Sequence, residues 1–155
     1  ATDTCDQWIW GAAMSLASIS VRTSNLAISQ SSAELRTAAG ATCRVLEVLL
    51  TQAVATAQSL CLGRPAAVGI TPGNTSLFQR DDSADPACTT SVSLTWGTSP
   101  TLPTVMLRRW NTAATLGIGI VWTFPRGIII PISGSLAVGN VTAAQPCDVN
   151  MTIDE

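Results

Sequence analysis

The sequence predicts an all-β protein, an antiparallel sandwich or jelly roll, and three observations predict it. Residues Gly117 to Asn140 hold three short, β-branched apolar runs parted by Pro125-Arg126-Gly127 and Ser133-Gly134-Ser135. That composition belongs to strands joined by tight connections, not to helix. Two other segments alternate with a period of two, as half-buried strands do. In Thr89–Trp96, Val92, Leu94 and Trp96 oppose Ser91, Ser93 and Thr95. In Cys147–Ile153, Cys147, Val149, Met151 and Ile153 oppose Asp148, Asn150 and Thr152. Short strands with turn signals recur along most of the chain, the pattern of a sandwich.

The other elements follow in order. Gly11 to Ala17 is Ala-rich and helix-prone by propensity. From Ser18 to Gln30 the pattern changes. Ile19 and Val21, then Leu26 and Ile28, alternate with small or polar residues on either side of Thr23-Ser24-Asn25. This predicts a hairpin or two edge strands. Ala33 to Thr37 is a further short strand, closed by Ala38-Ala39-Gly40. In Cys43 to Gln58, the residues Val45, Leu46, Val48, Leu49 and Leu50 fit a helix face nearly as well as a strand, and taken alone the segment leans to helix. Leu60-Cys61-Leu62 is a strand stopped by Gly63-Arg64-Pro65. Ala66 to Asp85, with Pro72-Gly73-Asn74, and Arg80 to Pro86 carry loop chemistry. Thr104 to Trp110 is a strand with Arg108-Arg109 near its end. No internal repeat or linker divides the chain.

At 155 residues the chain is long enough for one domain with a sizeable core. Charged residues make up 12% and apolar ones 46%, against roughly 25% charged in a typical soluble domain. So little charge predicts a surface largely covered by other subunits; the alternative is a monomer with a Ser/Thr-rich surface. A net charge of −2 argues against sequence-independent nucleic-acid binding, which needs a basic surface. All eight basic residues are Arg. There is no His, which removes the usual acid–base group and the commonest metal ligand. Ser-His-Asp and Cys-His catalysis are thereby excluded. A hydrolase would have to draw a carboxylate pair from Glu34, Glu47 and Asp148. Glu34 and Glu47 sit in strand-like segments and are read as pointing to solvent. Asp81, Asp82 and Asp85 lack the spacing of a calcium loop and read as a solvated loop. No catalytic residue, cofactor or metal site is expected.

Cys5, Cys43, Cys61, Cys88 and Cys147 are widely spaced, with no C-x-x-C pair. They read as small buried apolar residues; whether any two pair is left open. No apolar run approaches the ~20 residues of a membrane helix. Trp8 to Val21 has no preceding basic residue, so it does not read as a signal peptide.

Four segments carry a resemblance. They are Leu62 to Pro72, Asp85-Pro86-Ala87, Trp96 to Pro103 and Trp122 to Gly127. These resemble a group of small virion proteins of tailed bacteriophages and prophages, over roughly residues 30 to 155. The resemblance implies a jelly-roll β-sandwich over 31–155, a homotrimer, and a place on the capsid surface after synthesis in the host cytoplasm. It implies a decoration (cement) role, with the major capsid protein as partner and neither nucleic acid nor membrane. A tail or spike component that binds a host-surface glycan or protein is the alternative. It also implies that Cys43 to Gln52 is a long strand and that Ala55 to Gly63 pairs within the sandwich. Residues 1–30 carry none of these motifs and are expected to form an irregular or extended arm, or edge strands.

Within that frame Arg108, Arg109 and Arg126 are expected at subunit contacts, since the planar guanidinium pairs carboxylates bidentately. Trp110 belongs to the same basic and aromatic patch. Trp8 and Trp10 lie in the segment least suited to a core and are expected to dock against a neighbour. Trp96 and Trp122 are expected in the core.

Overall fold

The computed structural model describes residues 15–24, 30–142 and 145–155. Eleven strands make two antiparallel sheets, and no helix occurs among the described residues. Sheet A contains β1 (Leu16–Arg22), β3 (Cys43–Gln52), β6 (Gln79–Arg80), β9 (Gly119–Ile130) and β11 (Cys147–Asp154), in the order β6-β1-β11-β3-β9. Sheet B contains β2 (Gln30–Arg36), β4 (Ser59–Gly63), β5 (Ile70–Leu77), β7 (Ser91–Thr98), β8 (Arg108–Asn111) and β10 (Ser135–Asn140), in the order β5-β7-β2-β10-β4-β8.

The two sheets share one core. Val45, Val48 and Leu50 of β3 and Val149, Met151 and Ile153 of β11 meet Leu35, Leu60, Leu62, Leu136 and Val138 from the other sheet. Strand β11 shows why alternation works as a signal. Its apolar residues are all buried, and Asp148, Asn150, Thr152 and Asp154 between them are half-buried. Cys43–Gln52 is one strand, as the resemblance implies and against the helical leaning of the isolated segment. Its partners decide this: β11 and β9 hydrogen-bond along both sides of it, which no local propensity records.

Several expectations are corrected. Pro125-Arg126-Gly127 is not a connection between two strands. It is a bulge inside β9, where Phe124 to Gly127 face Leu46 alone, between the pairs Glu47–Thr123 and Val45–Ile128. Gly127 takes a φ of +65°, and a Cβ there would lie 2.0 Å from Cγ of Arg44. Residues 70–77 form a strand rather than a loop. Its irregularity is absorbed by positive φ at Thr71 and Asn74. β1 and β2 are not a hairpin: they belong to different sheets, and Leu26 and Ile28 lie outside the described residues. Strand β8 begins at Arg108, so Thr104 to Leu107 precede it.

β1 pairs with β11 over seven residues, and its Ala17 and Ser18 also pair with the two-residue β6, so residues 16–22 form a strand near the edge of sheet A. Residues 1–14, with Cys5, Trp8, Trp10 and most of the helix-prone stretch, lie outside the described residues.

Candidate functional site

An antiparallel sheet commonly leaves one face wet. Sheet B does not. Every residue of β4 and β10 is buried, and so are the five central residues of β2. The face turned away from the core carries Glu34, Cys61, Ala137 and Gly139, by alternation with the core residues Leu35, Leu60, Leu62, Leu136 and Val138.

Two segments cover that face. They are joined by backbone bonds from the Ala66 N–H to the Thr101 carbonyl (2.8 Å) and from the Thr101 N–H to the Ala67 carbonyl (3.0 Å). Pro103 and Met106 lie against Gly63, Leu102 lies against Gly139, and the Ser31 hydroxyl donates to the Pro100 carbonyl. Leu62 to Pro72 and Trp96 to Pro103, two of the four resembling motifs, supply most of this cover.

Glu34 sits beneath it with no solvent exposure. Its carboxyl group accepts bonds from the backbone N–H of Gly69 (3.2 Å to each oxygen) and the indole N–H of Trp96 (3.0 Å). Arg36, two residues along β2, donates to the Gly69 carbonyl (2.9 Å). The motif glycine is held from both sides. A Cβ on Gly69 would lie 2.2 Å from Cδ1 of Trp96 and 2.8 Å from Oε2 of Glu34. Glu34 is thus buried, not solvent-facing as expected. Trp96 is half-buried and outside the core cluster, whereas Trp122 is within it. Sequence reasoning missed this arrangement, because a carboxyl on a strand gives no sign of loops closing over it.

The carboxylates considered for catalysis are not assembled. Glu34 belongs to sheet B, and Glu47 is half-buried on β3 of sheet A. Asp148 is occupied by Arg22 in a two-point pair, Nε–Oδ1 2.6 Å and Nη2–Oδ2 2.8 Å. The hydrogen bond from Arg22 holds the Asp148 carboxyl below the ordinary value of 3.8. Among the described residues no group of three Cys, Asp or Glu side chains is placed to hold a metal ion, and no helix is long and apolar enough to cross a membrane.

The described cysteines are free and buried. Burial pushes the thiols of Cys43 and Cys147 up to about 11. Burial, with the bond from its Sγ to Glu155, takes Cys88 to about 12. An open groove beside β1, with a volume of about 430 Å³, is lined by polar residues such as Ser18, Gln79 and Asn150 together with the apolar Ile19, Val21, Leu77 and Met151. No aromatic side chain lines it.

Of the expected contact residues, Arg108, Arg109 and Arg126 are brought to one side of the sandwich. Arg108 and Arg109 lie on the outermost strand of sheet B, and Arg126 in the bulge of the outermost strand of sheet A. The Arg108 guanidinium stands 5.3 Å from the centre of the Phe124 ring, which links the two edges. Trp110 is half-buried and packs against the core. Arg64 joins this side through a bond from Nη2 to the Ile129 carbonyl (2.9 Å).

Compared with known families, curated proteins and solved structures, the chain gives no match.

Proposed function

We propose that the sandwich is a jelly roll and that the protein is a bacteriophage capsid decoration (cement) protein. In this reading it is a homotrimer on the capsid surface that bridges copies of the major capsid protein. The strand order supports the fold. With β5, β6 and β7 set aside as an insertion, β1-β11-β3-β9 faces β2-β10-β4-β8. That order matches two Greek keys rolled together, the eight-stranded arrangement of many capsid domains.

Fold alone does not set function. The observation that carries the role is the distribution of exposed apolar side chains. Val105 (83% exposed), Leu116 (65%), Ile70 (61%), Ile129 (57%) and Ile132 (57%) stand on loops and outermost strands. So many uncovered large side chains on a chain with 12% charged residues suit an assembly surface. Many copies on one shell would make modest contacts effective through multivalency.

A density map of the parent virion tests this reading. Decoration requires a copy number near that of the major capsid protein and density on the outer shell. A few copies confined to the tail tip would overturn it in favour of the tail or spike component. The covered face of sheet B is then the scaffold, and the loops and edges are the contact surface.

A further inference from the structure

The sandwich has two lateral sides, and their charges are opposite. One side carries the open edges of β8 and β9, the other those of β5 and β6. The β8/β9 side presents Arg64, Arg108, Arg109 and Arg126, all exposed. No carboxylate among the described residues lies within ion-pair distance of them; the ion pair among those residues, Arg22–Asp148, joins β1 to β11. Glu47, half-buried, is one strand further in, opposite Thr123.

The β5/β6 side presents Asp81, Asp82 and Asp85 in the segment that leads from β6 to β7. Arg80, which donates to the Asp85 carbonyl, offsets one of these three charges, so residues 80–85 carry a net charge of −2. Asp81 accepts from the Ser18 hydroxyl and Asp82 from the Ala84 N–H, neither of which neutralises charge.

Arg126 and the start of the acidic segment also lie at similar heights along the strands of sheet A. The register of sheet A runs Gln79–Ser18–Thr152–Glu47–Thr123 in one row and Arg80–Ala17–Ile153–Val45–Ile128 in the next. Arg126 sits in the bulge between Thr123 and Ile128, and the acidic residues begin immediately after Arg80. Positive charge at one end of these rows therefore faces outward level with negative charge at the other.

We propose that the β8/β9 side of one copy docks on the β5/β6 side of the next, head to tail, to close a ring of this chain. Like charges disfavour pairing either side with itself. A contact between two different patches gives a ring when its rotation closes without translation along the axis, and an open filament otherwise. Level patches remove translation along an axis parallel to the strands, and the tilt between the two docked sides supplies the rotation. Apolar side chains are available on both sides: Leu107 and Ile129 on one, Ile70 and Leu77 on the other.

Main-chain strand addition is not the mode. Pro125 and Gly127 interrupt the β9 edge, and Thr71, Pro72 and Asn74 interrupt β5. Such breaks blunt an edge against pairing. Side chains make the contact, with arginine forks meeting carboxylates.

The trimer of the decoration reading is deepened here, and its test needs no virion. Sedimentation of the full chain at low salt should give one fixed multiple of 16.1 kDa over a hundredfold range of concentration. One molar salt, which cuts the screening length to about 3 Å, should shift it toward the monomer. Arg108→Glu with Arg126→Glu should sediment as a monomer, and so should Asp82→Arg with Asp85→Arg. All four changes in one chain should restore the ring, which shows that neither pair acts by unfolding. A monomeric native chain, a mass that grows without limit, or an oligomer indifferent to either pair of changes would overturn the proposal. A ring that forms but fails to bind the shell would instead count against decoration alone.

Discussion

The indole N–H of Trp96 donates to the Glu34 carboxyl, 3.0 Å away, across 62 residues of chain. The Gly69 N–H donates to the same group. A single buried carboxyl thus ties β2 to both covering segments. Only a residue without a Cβ fits at position 69, against Trp96 and Glu34. A buried acceptor that satisfies several donors fixes geometry, because losing it strands them all.

Glu34→Ala should leave the indole and Gly69 N–H groups without partners under the cover. Each such group costs roughly 1–3 kcal/mol. The expected loss is about 2–4 kcal/mol in urea unfolding, with Glu34→Gln, which keeps one acceptor oxygen, losing less. Equal stability of Glu34→Ala and the native chain would refute the clamp.

Gly69→Ala forces the new methyl against Trp96 and Glu34. Overpacking of this kind costs about 1–3 kcal/mol. Tryptophan emission should shift to the red as the indole loosens. An unchanged spectrum with unchanged stability would show that the neighbours yield freely.

The Glu155 side chain should make stability fall in acid. Its burial opposes the charge, but bonds from Cys88, Thr89 and Thr90 outweigh this and hold its carboxyl at about 2 rather than 4.5. The folded value lies below the unfolded one. The contribution is therefore complete above about pH 4.5 and lost as pH falls through about 2. Asp148, lowered by Arg22, adds in the same direction below 3.8. Melting temperatures of Glu155→Gln and the native chain should differ at pH 6 and converge near pH 2. Parallel curves over that range would contradict the assignment.

Cys43, Cys61, Cys88 and Cys147 should resist alkylation in the folded protein. All four are buried, and burial raises each thiol, so little thiolate exists near neutral pH. Mass spectrometry after iodoacetamide at pH 7.5 should find them unmodified, and modified once urea is added. Rapid modification of any of the four without denaturant would show that its burial is breached.

Much of the fold was legible because alternation reports burial directly. Val92 and Leu94 in β7, and the apolar residues of β11, are buried as their period of two requires. Leu60 and Leu62 also reach the core. Legibility failed where pairing partners decide. Val45 to Leu50 satisfy two periods at once, and only β9 and β11 choose between them. Residues 70–77 look like a loop because Pro72, Gly73 and Asn74 are turn formers, yet β7 holds them as a strand. Pro125-Arg126-Gly127 has turn chemistry and becomes a bulge because β3 continues past it on the other side.

Local chemistry was enough to establish the all-β class and most strand cores. These depend on side-chain type and short-range period, which the chain carries residue by residue. The sheet order, the burial of Glu34 and the opposed charge of the two lateral sides came only with tertiary structure. Each depends on contacts between residues tens of positions apart, as when Arg108 meets Phe124 or Asp81 follows a strand level with Arg126. Such contacts are set by which strands share an edge, and strand partners leave no mark in the local sequence.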